Sequence, residues 1–326
     1  MYKHIVFEGT SIKALSYCGV IDELETQGHI SHMTHFAGVS SGAVFALMLA
    51  IGYSAQEITD FFSPERIRGI IPNNSKLYIL YNLLRYMGFY SQDCVRDALK
   101  EIIVRKFPPT LTFGELYNQT GHVLVIGVTR LVEHSGLYLN PFSYPNVSVL
   151  DAVTASICLP IFFIPRVYNF TGEKLLYVDG GVSNDFPLWI FNDDELLKQG
   201  RYTALRIGRT MSPYTLGIQA SDSIYRAKNA DGWLSYVKAL LRTLLVQAET
   251  ILNYSSSQVI NVKLPYAMSS INFDINQQQK ENLIRLGHTT TKCFLQDGHH
   301  INHRDNNVDA QHSIENVHSQ SGTRDT

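Results

Sequence analysis

The stretch that most narrows what this chain can fold into is GVSSGAV, residues 38–44, because of what flanks it. The apolar run Thr34–Ala37 precedes it, and a second apolar run from Phe45 to Gly52 follows. A GxSxG pattern acquires meaning at a strand-to-helix junction. There a sharp turn lifts the serine hydroxyl off the backbone, and helix N–H groups face developing negative charge. Gly38 and Gly42 relieve the crowding that a Cβ would cause, while Val39 and Ser41 complete the elbow around Ser40. As bare letters the pattern equally describes a small residue in a tight turn. Strand before and helix after favour a nucleophile.

The neighbouring segments repeat that alternation. HIVFEG (4–9) reads as a short strand, and residues 13–28 as a helix in which Leu15, Cys18, Ile21 and Leu24 recur every third position before a Gly28 cap. MTHFAG (33–38) is the second strand and residues 41–51 the second helix. This order predicts an α/β fold, a mostly parallel sheet with helices packed on it. Residues 54–120 read as mainly helical, with Ser91 as an N-cap and capping-box spacing from Thr112 to Glu115. Strands are expected at 122–130, 134–140, 173–179, 202–208 and 258–264. Helices are expected at 148–159, 233–254 and 276–295. From residue 296 the chain is polar, with too few large apolar side chains to offset the entropy of ordering them. The expectation is therefore one domain over 1–295 and a disordered tail over 296–326.

Composition excludes several classes. A 45% hydrophobic and 17% charged content suits a packed domain, and a net charge of −2 leaves no electrostatic footprint for nucleic acid. Cys18, Cys94, Cys158 and Cys293 are scattered without a CxxC pair, which reads as reduced thiols in a cytoplasmic protein. The N-terminus has no signal-peptide pattern. The most apolar stretch, Ala43–Tyr53, is about half the ~20 residues a bilayer span needs. No transmembrane span is expected, though peripheral membrane binding fits. The tail's HHINH (299–303) is given no metal, and no cofactor is expected.

A serine hydroxyl needs a positioned base. Histidine candidates are weak: His122 and His134 lie in or beside strands, His288 lies in a helix, and most others fall in the tail. Only about two strands precede residue 40, which is early for the elbow of a Ser-His-Asp esterase. A carboxylate stands out instead. LLYVDGG runs a strand into Asp179, then Gly180 and Gly181, at the strand end where open α/β sheets build their sites.

Three segments, in order, resemble the patatin-like phospholipases. FEGTSIKALSYCGVIDELE (7–25) stands where that family has its glycine-rich oxyanion loop and first helix. GVSSGA (38–43) matches its nucleophile elbow, and residues 151–188 match the approach to its Asp-Gly-Gly motif. The resemblance implies a three-layer α/β/α fold and a Ser–Asp dyad without histidine, acting as a lipid acyl hydrolase, often of phospholipase A type. Its catalytic step needs no metal and its substrate is an acyl lipid at a membrane surface. Some members require an activating protein partner. Carried over, Ser40 is the nucleophile and Asp179 the general base.

The oxyanion loop departs from the family pattern. Gly9-Thr10-Ser11-Ile12-Lys13-Ala14 keeps only the first glycine and the basic residue. Thr10 is β-branched and the least comfortable replacement if its position needs φ > 0. Two alternatives stay open: an inactive lipid-binding homologue, or a triad esterase using an ordered histidine. Lys13 reads equally as an anion contact or a solvated charge, and Arg166 reads mainly as a structural charge. Residues 75–92, SKLYILYNLLRYMGFYSQ, read first as a core-facing helix and second as an interfacial one.

Overall fold

The computed structural model describes residues 1–193, 197–198, 211–222, 258–265 and 273–318, with side chains of the last segment described through residue 297. At its centre are β1 (His4–Phe7), β2 (His35–Val39), β4 (Val123–Arg130), β9 (Thr215–Asp222) and β10 (Val259–Leu264), all parallel in the order β10-β9-β1-β2-β4. The antiparallel strands β8 (Leu175–Asp179) and β7 (Arg166–Tyr168) extend the β4 edge, and β5 (Ser135–Leu139) pairs antiparallel with β4.

Side chains alternate across this sheet, and both faces are buried. Ile5, Phe7, Phe36, Leu124 and Ile126 enter the main core, whereas Val6, Ala37, Val123 and Val125 pack with Phe186, Leu188 and Phe191 on the opposite side. Apolar residues at consecutive positions of one strand therefore serve two layers, as a parallel sheet covered on both faces requires.

Helices α1 (Ser16–Thr26) and α2 (Ser41–Ala50) alternate with the first strands as expected. Residues 54–120 are broken into α3 (Ala55–Phe61), α4 (Pro64–Ile70), α5 (Lys76–Tyr86), α6 (Asp93–Val104) and α7 (Phe113–Thr120). The Thr112–Glu115 capping box forms, with each side chain bonded to the other's backbone. Ser91 is not the N-cap of α6, which Gln92 occupies, but its hydroxyl still accepts the Asp93 N–H at 3.2 Å. Three short strands escaped the pattern: β7, and β3 (Gly88–Tyr90) and β6 (Ile161–Phe163), which among the described residues form a sheet of their own in register Gly88↔Ile161 and Tyr90↔Phe163. Three-residue strands are too short for alternation to register.

The expected helix at 148–159 is α8 (Val149–Ser156), ending before Pro160. The expected strand at 202–208 and helix at 233–254 lie outside the described residues. The final helix α9 is Gln277–His318, so the polar run expected as a disordered tail continues it, with no proline to break it. Its first half locks onto α1 by mutual close approach. A Cβ at Gly19 would lie 1.8 Å from the Ile284 carbonyl oxygen, and one at Gly287 2.0 Å from that of Ser16. No helix among the described residues is long and apolar enough to cross a membrane.

Candidate active site

β2 ends in the elbow. Ser40 adopts φ 52°, ψ −126°, between the strand and the first residue of α2. Such backbone costs a non-glycine residue on the order of 1–3 kcal/mol and persists only where surroundings fix it. Here they do. The Ser40 N–H donates to Ser156 Oγ at 2.9 Å, and the Ser156 hydroxyl donates to the Gly127 carbonyl at 2.7 Å, tying the elbow to α8 and β4. Gly42 lets α2 sit against β1, since a Cβ there would lie 2.5 Å from the Phe7 carbonyl oxygen.

Sheet register brings Asp179 to Ser40. β4 lies between β2 and β8, with Val39 opposite Gly127 and Asp179 opposite Val128. Ser40 Oγ donates to Asp179 Oδ2 at 2.6 Å, and Asp179 Oδ1 accepts the Gly181 N–H at 2.8 Å. Gly180 and Gly181 form the first turn of a short 3-10 segment after β8. Asp179 is 4% exposed. Burial pushes its carboxyl up to about 6, against the opposing hydrogen bonds from Ser40 and Gly181. A carboxylate so placed is mostly ionised at neutral pH yet basic enough to take a proton.

The loop opposite has its own order. Gly9 donates its N–H to the Asp185 carbonyl at 3.2 Å, and a Cβ on Gly9 would lie 2.9 Å from Ser40 Cβ and 2.1 Å from Asp185 Oδ1. Thr10 corrects the expectation of strain. Its φ is −126°, which a β-branched residue adopts readily, and the left-handed conformation falls on Ser11 at φ 54°. The Thr10 N–H donates to Ser41 Oγ at 3.0 Å. Its hydroxyl donates to Tyr17 OH at 3.2 Å, and Tyr17 OH donates to the Glu8 carbonyl at 3.2 Å. Ile12, Lys13 and Ala14 are buried in the 3-10 turn Ser11–Leu15, so Lys13 is no solvated charge. The loop and the first turn of α2, whose leading N–H groups lack intrahelical partners, thus border the Ser40 hydroxyl from two sides.

The three candidate histidines lie elsewhere. His122 Nδ1 is 2.8 Å from the Ala50 carbonyl, at the far end of α2 and about 15 Å along the helix from Ser40. His288 Nε2 contacts Glu23 Oε2 at 2.8 Å between α9 and α1, and His134 sits in the turn between β4 and β5. Arg166 pairs with Asp93 at 2.7 Å, a structural link between β7 and α6. Sequence reasoning missed Ser156 and Asp185. Nothing in TASICLP marks Ser156, because only the sheet order places it beneath the elbow. Asp185 follows Asp179 by six residues in DGGVSND, and that carboxylate-rich turn was its one available signal.

The family model for patatin-like phospholipase matches residues 5–192, a span that holds both Ser40 and Asp179. Probable lipid hydrolase 463L of Invertebrate iridescent virus 6 is 26% identical over 188 residues. That match takes in 57% of this chain and 62% of the viral protein, less than two thirds of its length. The uncharacterized protein YqhO of Bacillus subtilis (strain 168) is 26% identical over 311 residues, 90% of this chain and 98% of YqhO. Among solved structures, VipD from Legionella pneumophila shares the fold with a TM-score of 0.57 at 17% identity, covering 91% of this chain and 67% of VipD. By its ordered motifs, its sheet and the match over more than half its length, the chain belongs to the patatin-like phospholipase family of lipid acyl hydrolases.

Proposed function

We propose that this chain hydrolyses ester-linked acyl groups of phospholipids at a membrane surface through a Ser40–Asp179 dyad, in a calcium-independent reaction. The observation that carries the reading is the 2.6 Å hydrogen bond from Ser40 Oγ to Asp179 Oδ2. Ser40 Oγ attacks the ester carbonyl carbon while its proton passes to Asp179. The oxyanion develops towards the N-terminus of α2, whose leading backbone N–H groups stabilise it, beside a loop whose Gly9 and Thr10 N–H groups are held by the Asp185 carbonyl and Ser41 Oγ. Collapse expels the lysolipid alkoxide, which takes the proton from Asp179. Water then attacks the acyl-serine, giving its proton to Asp179. The acid leaves and Ser40 regains its proton.

Fatty-acid release from mixed phospholipid vesicles, with chelator present, tests this. Wild type should turn over, and Ser40→Ala and Asp179→Asn should each lose roughly 10³-fold or more in kcat. Turnover surviving Asp179→Asn, or lost on adding chelator, overturns the dyad or the calcium independence respectively.

A further inference from the structure

Helix α5 carries much of its apolar surface on the outside. Of its residues only the polar Asn82 is buried, its amide donating to the Phe89 carbonyl at 3.0 Å. Ile79 and Leu83 are half-buried beside it, but the other apolar side chains point outward: Leu77 is 80% exposed, Leu84 77%, and Met87, which ends the helix in the left-handed conformation, 66%. Leu80, Tyr78, Tyr81 and Tyr86 are exposed too. A helix packed on a water-soluble domain turns such side chains inward, and an apolar patch of this kind marks a binding surface.

Charge narrows the partner. Between Glu65 and Asp93 the chain has no acidic residue, while Lys76 and Arg85 stand near the two ends of α5. Tyrosine at the rim, leucine on the face and cations at the ends suit the boundary between headgroups and acyl chains of an anionic bilayer. A second copy fits worse. Antiparallel packing of two α5 helices about a two-fold axis would set Lys76 against Arg85 with no acidic residue on either helix.

Position narrows it further. α5 runs into β3, which pairs with β6, and the Ile164 N–H after β6 donates to the Tyr90 carbonyl at 2.8 Å. The turn before β6 holds Cys158, whose carbonyl accepts the Asp179 N–H at 2.9 Å. The exposed helix is thus linked through one two-stranded sheet to the turn whose Cys158 carbonyl accepts the Asp179 N–H.

We propose that α5 is the membrane-docking element, laying Leu77, Leu80, Tyr81, Leu84 and Met87 into an anionic phospholipid surface. The inference rests on the reading of the chain as a lipid acyl hydrolase.

The test is co-sedimentation of the full chain with sucrose-loaded vesicles of phosphatidylcholine, with and without phosphatidylserine. Wild type should partition onto the anionic vesicles. Leu77→Gln, Leu80→Gln and Leu84→Gln combined should lower the partition constant at least tenfold. Lys76→Gln with Arg85→Gln should lower it about tenfold on anionic vesicles only. Hydrolysis of a soluble short-chain ester, unchanged in the triple variant, reports its fold and scores the dyad separately. If wild type fails on that ester while vesicle binding still depends on α5, the functional reading falls and the docking surface stands. Should the triple variant misfold, Leu84→Trp replaces it, with a blue shift on vesicles relative to wild type expected. Equal partitioning of wild type and triple variant overturns the proposal, as does an unshifted Leu84→Trp spectrum. So does a wild-type dimer in vesicle-free solution that the triple variant renders monomeric.

Discussion

Asp179 illustrates how one residue's environment sets its chemistry. A carboxyl held near 6 by burial must be ionised to act as base, so kcat/KM should rise with pH through a midpoint of about 6 and then level off. A midpoint near 4, or a bell-shaped profile, would remove Asp179 from that position. Ser156 is the supporting residue beneath the elbow. Ser156→Ala leaves the Ser40 N–H and the Gly127 carbonyl without their shared partner, which should cost ~1–3 kcal/mol of stability. It should also lower kcat by roughly tenfold while leaving KM nearly unchanged. Stability falling with kcat intact would make Ser156 purely structural. Thr10 works in the opposite sense. Because its φ is ordinary, Thr10→Gly should leave kcat within about threefold, whereas a distorted oxyanion donor would be worth ~10²–10³. A large gain would mean that the threonine deforms the loop after all.

Among the helices, α1 and α9 meet backbone to backbone. Gly19→Ala puts a methyl group 1.8 Å from the Ile284 carbonyl oxygen, so the helices must separate, at a cost of ~1–3 kcal/mol or more. Gly69→Ala in α4, where nothing lies within 4 Å, should instead gain ~0.5–1 kcal/mol from helix propensity. Urea denaturation of the pair separates packing from propensity, and equal effects would contradict the interlock. Legibility at this scale followed length. The early strands and α1, α2 and α8 were readable from periodicity and stop signals, and α7 from its capping box. The β3–β6 pair was not, because its pairing joins residues some seventy positions apart. The exposure of α5 was not readable either. Its sequence has an apolar face whether that face meets a core or a bilayer.

For the whole molecule, the site is held at the expense of stability. Asp179 titrates in the folded chain above its ordinary value, so its contribution is fully present below about pH 4 and is lost as pH rises through about 6. Above that range the buried carboxylate costs on the order of 3 kcal/mol. Asp179→Asn should therefore raise the melting temperature more at pH 8 than at pH 4, while abolishing turnover. A gain independent of pH would point to packing rather than charge. The sequence by itself determined the strand–helix alternation, the elbow and the aspartate after a strand, because these are local patterns of spacing and turn chemistry. Only the tertiary structure decided that β4 lies between β2 and β8, and hence that Ser40 meets Asp179 across 139 residues of chain. It also decided that Ser156 props the elbow and that α5 turns most of its leucines outward. Those outcomes depend on sheet order and on which surfaces find partners, and neither is encoded in the spacing of any one segment.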